Sequence, residues 1–144
     1  MRHLILPCLS ICLLLVSCTK EKQIESLIYE YEDVKHLSLE WNNLFIVEDD
    51  DYYTYIYSET CGHCRDIKQE VITKSLETEK IYFVLFNKEI PIISDKEVVI
   101  GKNDFESLGI IGTPTLFRIQ NHMISEHHVG SHDILETLTN LSKQ

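Results

Sequence analysis

The sequence predicts an α/β fold in which a mixed β-sheet is covered by α-helices. Two strand-like segments, 52–57 and 81–86, enclose a helix-like segment. The second half of the chain carries two further strand-like segments joined by a turn, and it ends in an amphipathic helix. A strand–helix–strand unit gives parallel strands and a hairpin gives antiparallel ones, so the two together form a mixed sheet.

Residue composition indicates the strands. Residues 52–57 are rich in aromatic side chains, as a strand is. Residues 81–86 form a near-continuous apolar run, which is typical of a central strand buried on both faces. Further along, 115–119 and 123–129 have strand-like composition and flank a turn at 120–122, so we expect a β-hairpin there.

The spacing of apolar residues indicates the helices. Leucine and aromatic side chains recur at three-to-four spacing in 37–46, and apolar residues do so between the cysteine pair and residue 79. A last helix, capped by Ser131, has a similar apolar face.

The region between the second strand and the hairpin is less regular. Asn103 is expected to cap a short helix at 103–108, which Gly109 would close. The preceding segment, 87–102, contains Pro91 and shows no spacing that predicts an element.

Length and composition indicate a globular protein. The 144 residues suffice for one domain with a core of its own but not for two. Hydrophobic residues make up 44% of the chain and charged residues 25%, a balance typical of a packed domain. The net charge of −10 argues against a nucleic-acid partner, because phosphates would be repelled.

The N-terminus has the proportions of a signal peptide. Arg2 supplies a positive start, and the apolar run at 4–16 is too short to span a bilayer comfortably. The run ends in Leu15-Val16-Ser17-Cys18, which resembles a bacterial lipobox. That resemblance implies that Cys18 is lipidated and becomes the first mature residue. An uncleaved membrane anchor is the alternative, and either one holds the domain at a membrane, outside the cytoplasm.

The predicted cleavage divides the chain into a lipoprotein-type signal peptide at 1–17, a polar tether at 18–36 and a domain at 37–144. Of the five cysteines, two would leave with the signal peptide and Cys18 would be consumed by lipid. Cys61 and Cys64 remain, so they pair with each other or with a substrate. A framework of structural disulfides is therefore excluded.

These two cysteines form the motif Cys61-Gly62-His63-Cys64, between the first strand and the helix. A thiol in the first turn of a helix faces unpaired backbone N–H groups and the positive end of the helix dipole, and both favour the thiolate. The thiolate is the nucleophile of disulfide exchange, and a second cysteine one turn on can release the substrate. Half of a zinc site is the alternative, but structural zinc needs four ligands and the chain has no second such pair.

Three motifs together resemble the thioredoxin superfamily. They are Cys61-Gly62-His63-Cys64 after a strand, Gly109-Ile110-Ile111-Gly112-Thr113-Pro114-Thr115, and Val129-Gly130 before the last helix. The resemblance covers about residues 37–142. It implies a thioredoxin-like fold, with a mixed central β-sheet flanked by α-helices in three α/β/α layers.

The resemblance also implies roles for the four motif residues. Cys61 would exchange with the substrate, and Cys64 would resolve the mixed disulfide. Gly62 and His63 would tune the redox poise, and this Gly-His pair is similar to that of protein disulfide isomerases. A partly positive His63 would stabilise the thiolate of Cys61, which makes the disulfide more oxidising.

A second part of the implied site lies before the hairpin. Pro114 would follow a cis peptide bond, and the backbone of Thr113 would face the two sulfurs and pair with an extended substrate segment. Two positions depart from the family. Tyr55 stands where the family has a buried acid that helps to deprotonate the resolving cysteine, and Thr60 stands where it has an aromatic residue.

These features predict an extracytoplasmic, membrane-tethered thiol–disulfide oxidoreductase that exchanges disulfides with protein substrates. No cofactor and no metal is expected, because the electrons come from a partner's thiols or disulfide. The Gly-His pair favours an oxidase or isomerase, whereas small tethered relatives often act as reductases fed by a membrane electron-transfer partner. We expect a monomer.

Two alternatives use other features of the chain. A thioredoxin-fold binding module would hold a partner without redox turnover. A copper or zinc carrier would add histidines from the C-terminal part as ligands: His122, His127, His128 and His132. Neighbours in a strand face opposite sides, so His127 and His128 are interpreted as surface residues instead.

Overall fold

A computed structural model describes residues 27–141 of the chain. They form β1 (Asp51–Tyr57), α1 (Gly62–Thr78), β2 (Ile81–Leu85), β3 (Thr115–Gln120), β4 (Met123–Val129) and α2 (Ser131–Leu141). Short 3-10 helices lie at Tyr31–Leu37, Trp41–Asn43 and Lys96–Val99. The predicted signal peptide, Cys18 and the start of the predicted tether lie outside the described residues. Across 27–141, no helix is long and apolar enough to cross a membrane.

The four strands form one mixed sheet in the order β2-β1-β3-β4. β1 runs parallel to β2 and antiparallel to β3, so that Ile56 lies opposite Val84 on one side and Thr115 on the other. β3 and β4 form the antiparallel hairpin. The predicted mixed sheet is confirmed, with β1 and the cysteine motif at its centre.

Two apolar clusters lie on the two faces of the sheet. Because side chains alternate along a strand, β1 sends Tyr55 and Tyr57 to one face and Tyr52 and Ile56 to the other. The first face is covered by the two α-helices, whose buried side chains include Ile67, Val71, Ile72, Ile134 and Leu138. The second face is covered by 3-10 turns and loops, which contribute Trp41, Leu44, Ile90, Val99 and Leu108.

Part of the segment predicted as a tether packs on the domain. The 3-10 helix Tyr31–Leu37 buries Val34 completely in the cluster under the α-helices. The ring of Tyr31 stacks on that of Tyr57, with the centroids 3.8 Å apart. The packed part of the chain therefore begins before residue 37.

The helix predicted at 37–46 is wrong as a single element. The amide of Leu39 donates to the carbonyl oxygen of Phe83 at 2.8 Å, and Ser38 forms a parallel bridge with Phe83. Hydrogen bonding to β2 thus replaces hydrogen bonding within a helix. A separate 3-10 turn then places Trp41 in the core.

Within the sheet formed by the described residues, β2 is an edge strand, and the prediction of a central strand there is wrong. On one side β2 pairs with β1, and on its other side Phe83 forms a single bridge with Ser38. Ile81, Phe83 and Val84 are still buried, because the two clusters enclose both faces of the strand. A continuous apolar run therefore reports burial of both faces and not a place in the middle of a sheet.

The short helix predicted at 103–108 is also wrong. Asp104, not Asn103, accepts hydrogen bonds there, from the amide of Ser107 at 2.8 Å and from its hydroxyl at 2.7 Å. An aspartate that bonds nearby backbone competes with helical hydrogen bonding, and here it holds the chain in a turn.

The unassigned segment 87–102 contains the 3-10 helix Lys96–Val99 and packs on the loop before β3. The amide of Ile110 donates to the carbonyl oxygen of Pro91 at 2.9 Å. Gly109 allows this approach, since a Cβ at its position would lie 2.9 Å from the same oxygen. The segment thus fixes the loop that leads into β3.

The hairpin turn is made by Asn121 and His122, whose φ values are 50° and 59°. Two successive residues at positive φ give a turn whose twist matches that of the strands. A bulge follows in β4, because Ile119 pairs with Ile124 while Arg118 pairs with Glu126. The extra residue reverses the alternation of side chains beyond it.

Because of this bulge, the interpretation of the two adjacent histidines as surface residues is wrong for His127. His127 is only 6% exposed and packs against the ring of Phe117, with centroids 4.8 Å apart. His128 faces the other side, where it lies between Glu126 and Asp133. The two do point in opposite directions, as predicted, but His127 belongs to the core.

Candidate active site

The two cysteines lie at the start of α1, at the C-terminal end of β1. Cys61 is the N-cap, and its Sγ accepts a hydrogen bond from the amide of Cys64 at 3.3 Å. This takes up one of the backbone N–H groups that a helix start leaves unpaired. Cys61 is partly exposed, whereas Cys64 is 1% exposed, and both are free thiols. The predicted position at the helix start is confirmed.

The loop before β3 reaches the same sulfur. The peptide bond between Thr113 and Pro114 is cis, as the resemblance implies. The Cys61 thiol donates a hydrogen bond to the carbonyl oxygen of Thr113 at 3.2 Å. Behind it, the amide of Gly130 donates to the carbonyl oxygen of Pro114 at 2.9 Å. The three sequence motifs thus meet at one place.

The fold is thioredoxin-like. A parallel β1–α1–β2 unit, an antiparallel hairpin and a closing helix stand in the order that the resemblance implies. The dithiol at the start of α1 lies against the loop that carries the cis proline before β3, as the sequence resemblance implies.

Comparison with solved structures finds thioredoxins. Thioredoxin f2 of Chlamydomonas reinhardtii is 25% identical, with a TM-score of 0.49, and the match covers 73% of this chain and 94% of that one. Thioredoxin f from spinach chloroplast is 18% identical, with a TM-score of 0.48 and coverages of 72% and 91%. The thioredoxin from Aeropyrum pernix is 20% identical, with a TM-score of 0.45 and coverages of 81% and 85%. No protein-family model and no curated protein matches the chain.

The environment of Cys61 favours its thiolate. Partial burial raises the pKa of the thiol, but hydrogen bonds with the side chains of Cys64 and Thr113 and with the backbone amides of Cys64 and His63 outweigh it. The pKa of Cys61 therefore lies below its ordinary value. Of the two sulfurs, Cys61 is the one suited to act as the nucleophile.

The environment of Cys64 has the opposite effect. Burial, followed by the hydrogen bond with Cys61, raises the pKa of the Cys64 thiol to about 11. At neutral pH the inner sulfur is therefore a protonated thiol, held next to an outer sulfur that ionises more easily. The pair has the asymmetry that a nucleophilic and a resolving cysteine need.

The two residues between the cysteines make few contacts through their side chains. The imidazole of His63 is 74% exposed, and its Nδ1 lies 3.9 Å from Oδ2 of Asp66. Its backbone amide, in contrast, acts on the Cys61 sulfur. A Cβ at Gly62 would meet one atom within 4 Å, on the Arg65 side chain, so packing does not require a glycine there.

A pair of tyrosines lies beside the inner cysteine. Tyr55 is fully buried in the same cluster as Cys64, and Tyr31 covers it from the 3-10 helix. Both hydroxyls are buried, and within residues 27–141 neither has a partner at ordinary hydrogen-bond distance, although the Tyr55 hydroxyl interacts with Tyr31 and with Cys64. From the sequence, Tyr55 was notable as the residue in place of the family's acid, but nothing in the sequence indicated that Tyr31 joins it.

The four histidines considered as metal ligands are not brought together. His122 contacts the carbonyl oxygen of Phe45, His128 lies between Glu126 and Asp133, and His132 is exposed on α2. Across the described part of the chain, no three or more His, Cys, Asp or Glu side chains converge as a metal site would require.

Proposed function

We propose that the chain is a thiol–disulfide oxidoreductase that exchanges disulfides with proteins through Cys61 and Cys64. The observation that carries this proposal is the asymmetry of the pair: an outer thiol of lowered pKa lies next to a buried inner thiol of raised pKa. A binding module has no need of this arrangement.

The reaction begins when the Cys61 thiolate attacks one sulfur of a substrate disulfide. A bond forms between Cys61 and that sulfur, and the other substrate sulfur leaves as a thiolate that takes a proton from water. Cys64 then loses its proton and attacks Sγ of Cys61, which breaks the mixed disulfide and releases the second substrate thiolate. The substrate disulfide is reduced by two electrons, and the Cys61–Cys64 pair is oxidised by the same two. The reverse sequence oxidises a dithiol substrate.

The loop at Thr113 suits an extended protein substrate. Its carbonyl group reaches the outer sulfur, and the loop continues into β3 after Pro114. A substrate segment that pairs with this backbone would bring its own sulfur to Cys61, because strand pairing fixes the register of both chains. Thr113 and Pro114 are therefore assigned to substrate binding.

The proposal includes an extracytoplasmic location and a lipid anchor on Cys18, both supported by the sequence of residues 1–18. Metabolic labelling of the full-length chain with a radioactive fatty acid tests the anchor. The lipid anchor is supported if the label is lost in Cys18→Ser and kept in the control Cys12→Ser. Label that persists in Cys18→Ser contradicts it.

The reduction potential of the Cys61–Cys64 pair tests the redox function. The full-length protein is equilibrated in glutathione buffers, and the oxidised fraction is measured. A value near −180 mV, roughly that of protein disulfide isomerase, indicates an oxidase or isomerase. A value near or below about −270 mV, roughly that of thioredoxin, indicates a reductase, for which a membrane electron donor would then be sought. If no disulfide forms between the two cysteines at any poise, the proposed function is wrong.

A further inference from the structure

The buried hydroxyl groups next to Cys64 have no role in the reaction as described so far. Those of Tyr55 and Tyr31 are inaccessible and have no partner at ordinary hydrogen-bond distance in residues 27–141. A buried polar group without a partner costs about 1–3 kcal/mol, a cost that a phenylalanine at position 55 would avoid. Such groups call for an explanation, and a reaction step in which they gain a partner provides one.

The surroundings hold Tyr55 in place. Its ring is parallel to that of Tyr57 to within 4° and meets Phe83 edge-on, with centroids 6.0 Å and 5.9 Å away. A stacked and fully buried ring has little freedom, so the direction of its hydroxyl is fixed by packing. That hydroxyl interacts with Tyr31 and with Cys64, both by charge and by hydrogen bonds longer than the ordinary distance.

The 3-10 helix Tyr31–Leu37 closes this region from solvent. The Tyr31 ring stacks on Tyr57, and Nζ of Lys68 lies 5.2 Å from the centre of the Tyr31 ring. Lys68 also pairs with Glu30, which ties the start of the segment to α1. The segment and the tyrosine pair therefore cover the inner sulfur on this side of the domain.

This inference rests on the proposed function. We propose that Tyr55 is a positioning residue for the resolving step. Its hydroxyl donates a hydrogen bond to Cys64 Sγ as that sulfur becomes a thiolate. The Tyr31 hydroxyl supports it by donating to the Tyr55 oxygen. The proton from Cys64 passes to water, and both tyrosines stay neutral, since burial raises the pKa of each well above its ordinary value. Tyr55 is therefore a donor and not a base.

The reaction of the reduced protein with dithiobis(nitrobenzoate) separates the two steps. Attack by Cys61 releases one coloured thiolate, and attack by Cys64 on the resulting mixed disulfide releases a second. Both releases are followed by stopped-flow absorbance in the full-length chain, with Cys8, Cys12 and Cys18 replaced by alanine.

Tyr55→Phe removes the hydroxyl alone. We expect the second release to slow by about tenfold at neutral pH, the size of effect given by losing one hydrogen bond to a charged group. The pH midpoint of that release should rise, while the first release changes less than about twofold. Tyr31→Phe should slow the second release by a smaller factor. The matched control is Tyr57→Phe, on the same strand and in the same aromatic cluster, which should leave both releases unchanged.

The outcomes separate the two proposals. If the second release keeps the rate and pH midpoint of the parent protein in both Tyr55→Phe and Tyr31→Phe, the proposed role of the tyrosines is wrong. The proposed oxidoreductase function is then unaffected. Equal slowing of both releases shows a general structural effect and also overturns the role of the tyrosines. If the parent protein itself gives a single release, the dithiol does not close, and the proposed function fails together with the inference. Should Tyr55→Phe fail to fold, Tyr31→Phe decides.

Discussion

The thiol of Cys61 lies 3.2 Å from the carbonyl oxygen of Thr113 and donates a hydrogen bond to it. This contact joins the start of α1 to the loop before β3, two segments that are distant in the sequence. As the thiol ionises it loses that donated bond and keeps the bonds it accepts from the backbone at the helix start. The free carbonyl group is then available to a substrate backbone.

Selective alkylation should report the asymmetry of the two thiols. Since the pKa of Cys61 is lowered and that of Cys64 is raised to about 11, iodoacetamide at neutral pH should modify Cys61 and spare Cys64. A thiol with that raised pKa is ionised in only about one molecule in ten thousand at pH 7. Peptide mass mapping distinguishes the two from the N-terminal cysteines.

The control for alkylation is Cys61→Ser. In that variant the motif should stay unmodified at neutral pH, and the remaining thiol should react only in strongly alkaline solution. Equal rates at Cys61 and Cys64 in the unaltered protein would show that the asymmetry does not exist.

Replacing Arg118 by Met should destabilise the fold by about 1 kcal/mol at neutral pH, the upper range for a partly exposed pair. Its guanidinium bonds both carboxylate oxygens of Asp51 at 3.0 Å and one of Glu126 at 2.8 Å. Hydrogen bonds from Arg118 lower the pKa of Asp51, and in Glu126 they outweigh burial, which raises it.

The pH dependence of this effect has a definite sign. A carboxyl group whose pKa is lowered by folding stabilises the protein above its unfolded pKa, about 4, and loses that contribution as the pH falls. The difference in unfolding free energy between Arg118→Met and the parent should therefore shrink below about pH 4. Lys35→Met is the control, because its pair with Glu32 is exposed and should add nothing measurable. A difference that grows in acid would contradict the assignment.

Gly109→Ala should destabilise the protein by about 1–3 kcal/mol, as overpacking does. The added Cβ would lie 2.5 Å from Cγ2 of Ile93 and 2.9 Å from the backbone oxygen of Pro91. The Pro91 oxygen belongs to the backbone, so it can move only if the chain around it moves too. Gly112→Ala is the matched control, since a Cβ there meets nothing within 4 Å. Urea titration of both variants tests this, and equal midpoints would refute the packing described for the loop.

Val34→Ala tests whether the segment before residue 37 belongs to the fold. Val34 is fully buried, so its truncation should leave a small cavity and cost about 1–3 kcal/mol. Ile28→Ala, six positions earlier and 77% exposed, should leave the thermal midpoint unchanged. No loss of stability in Val34→Ala would mean that the 3-10 helix is not held on the domain.

The sequence predicted the strands better than the positions they occupy in the sheet. β1, β3 and β4 have the composition of strands and clear turn residues, and the structure places them within a residue or so of the prediction. The run at β2 predicted burial correctly. Its edge position depends on which segment runs beside it, and Ser38 makes only a bridge there. Apolar pattern carries no information about that neighbour.

Local hydrogen bonds explain other differences. The Asp104 carboxylate accepts hydrogen bonds from Ser107 and holds the chain in a turn, where the spacing of apolar residues favoured a helix. The bulge in β4 shifts the alternation, and this buries His127. Neither event changes composition or average spacing, so pattern analysis cannot detect it.

The candidate site was predictable where it depends on motifs. Cys61, Cys64 and Pro114 stand as the resemblance implies. The cover supplied by Tyr31 was not predictable, because the segment around it is polar and its packing on Tyr57 is a long-range contact.

The pairing of β1 with β3 has a consequence for the order of folding. β1, α1 and β2 are consecutive, so that unit can form through short loops, whereas Ile56 must meet Thr115 from the far half of the chain. Closing a long loop costs entropy before any contact repays it, which makes distant pairing the slow event. The contact between Cys61 and Thr113 sits at the end of that same pairing. The dithiol therefore acquires its complete surroundings late, and a chain that is still folding presents Cys61 to the solvent without Thr113 beside it.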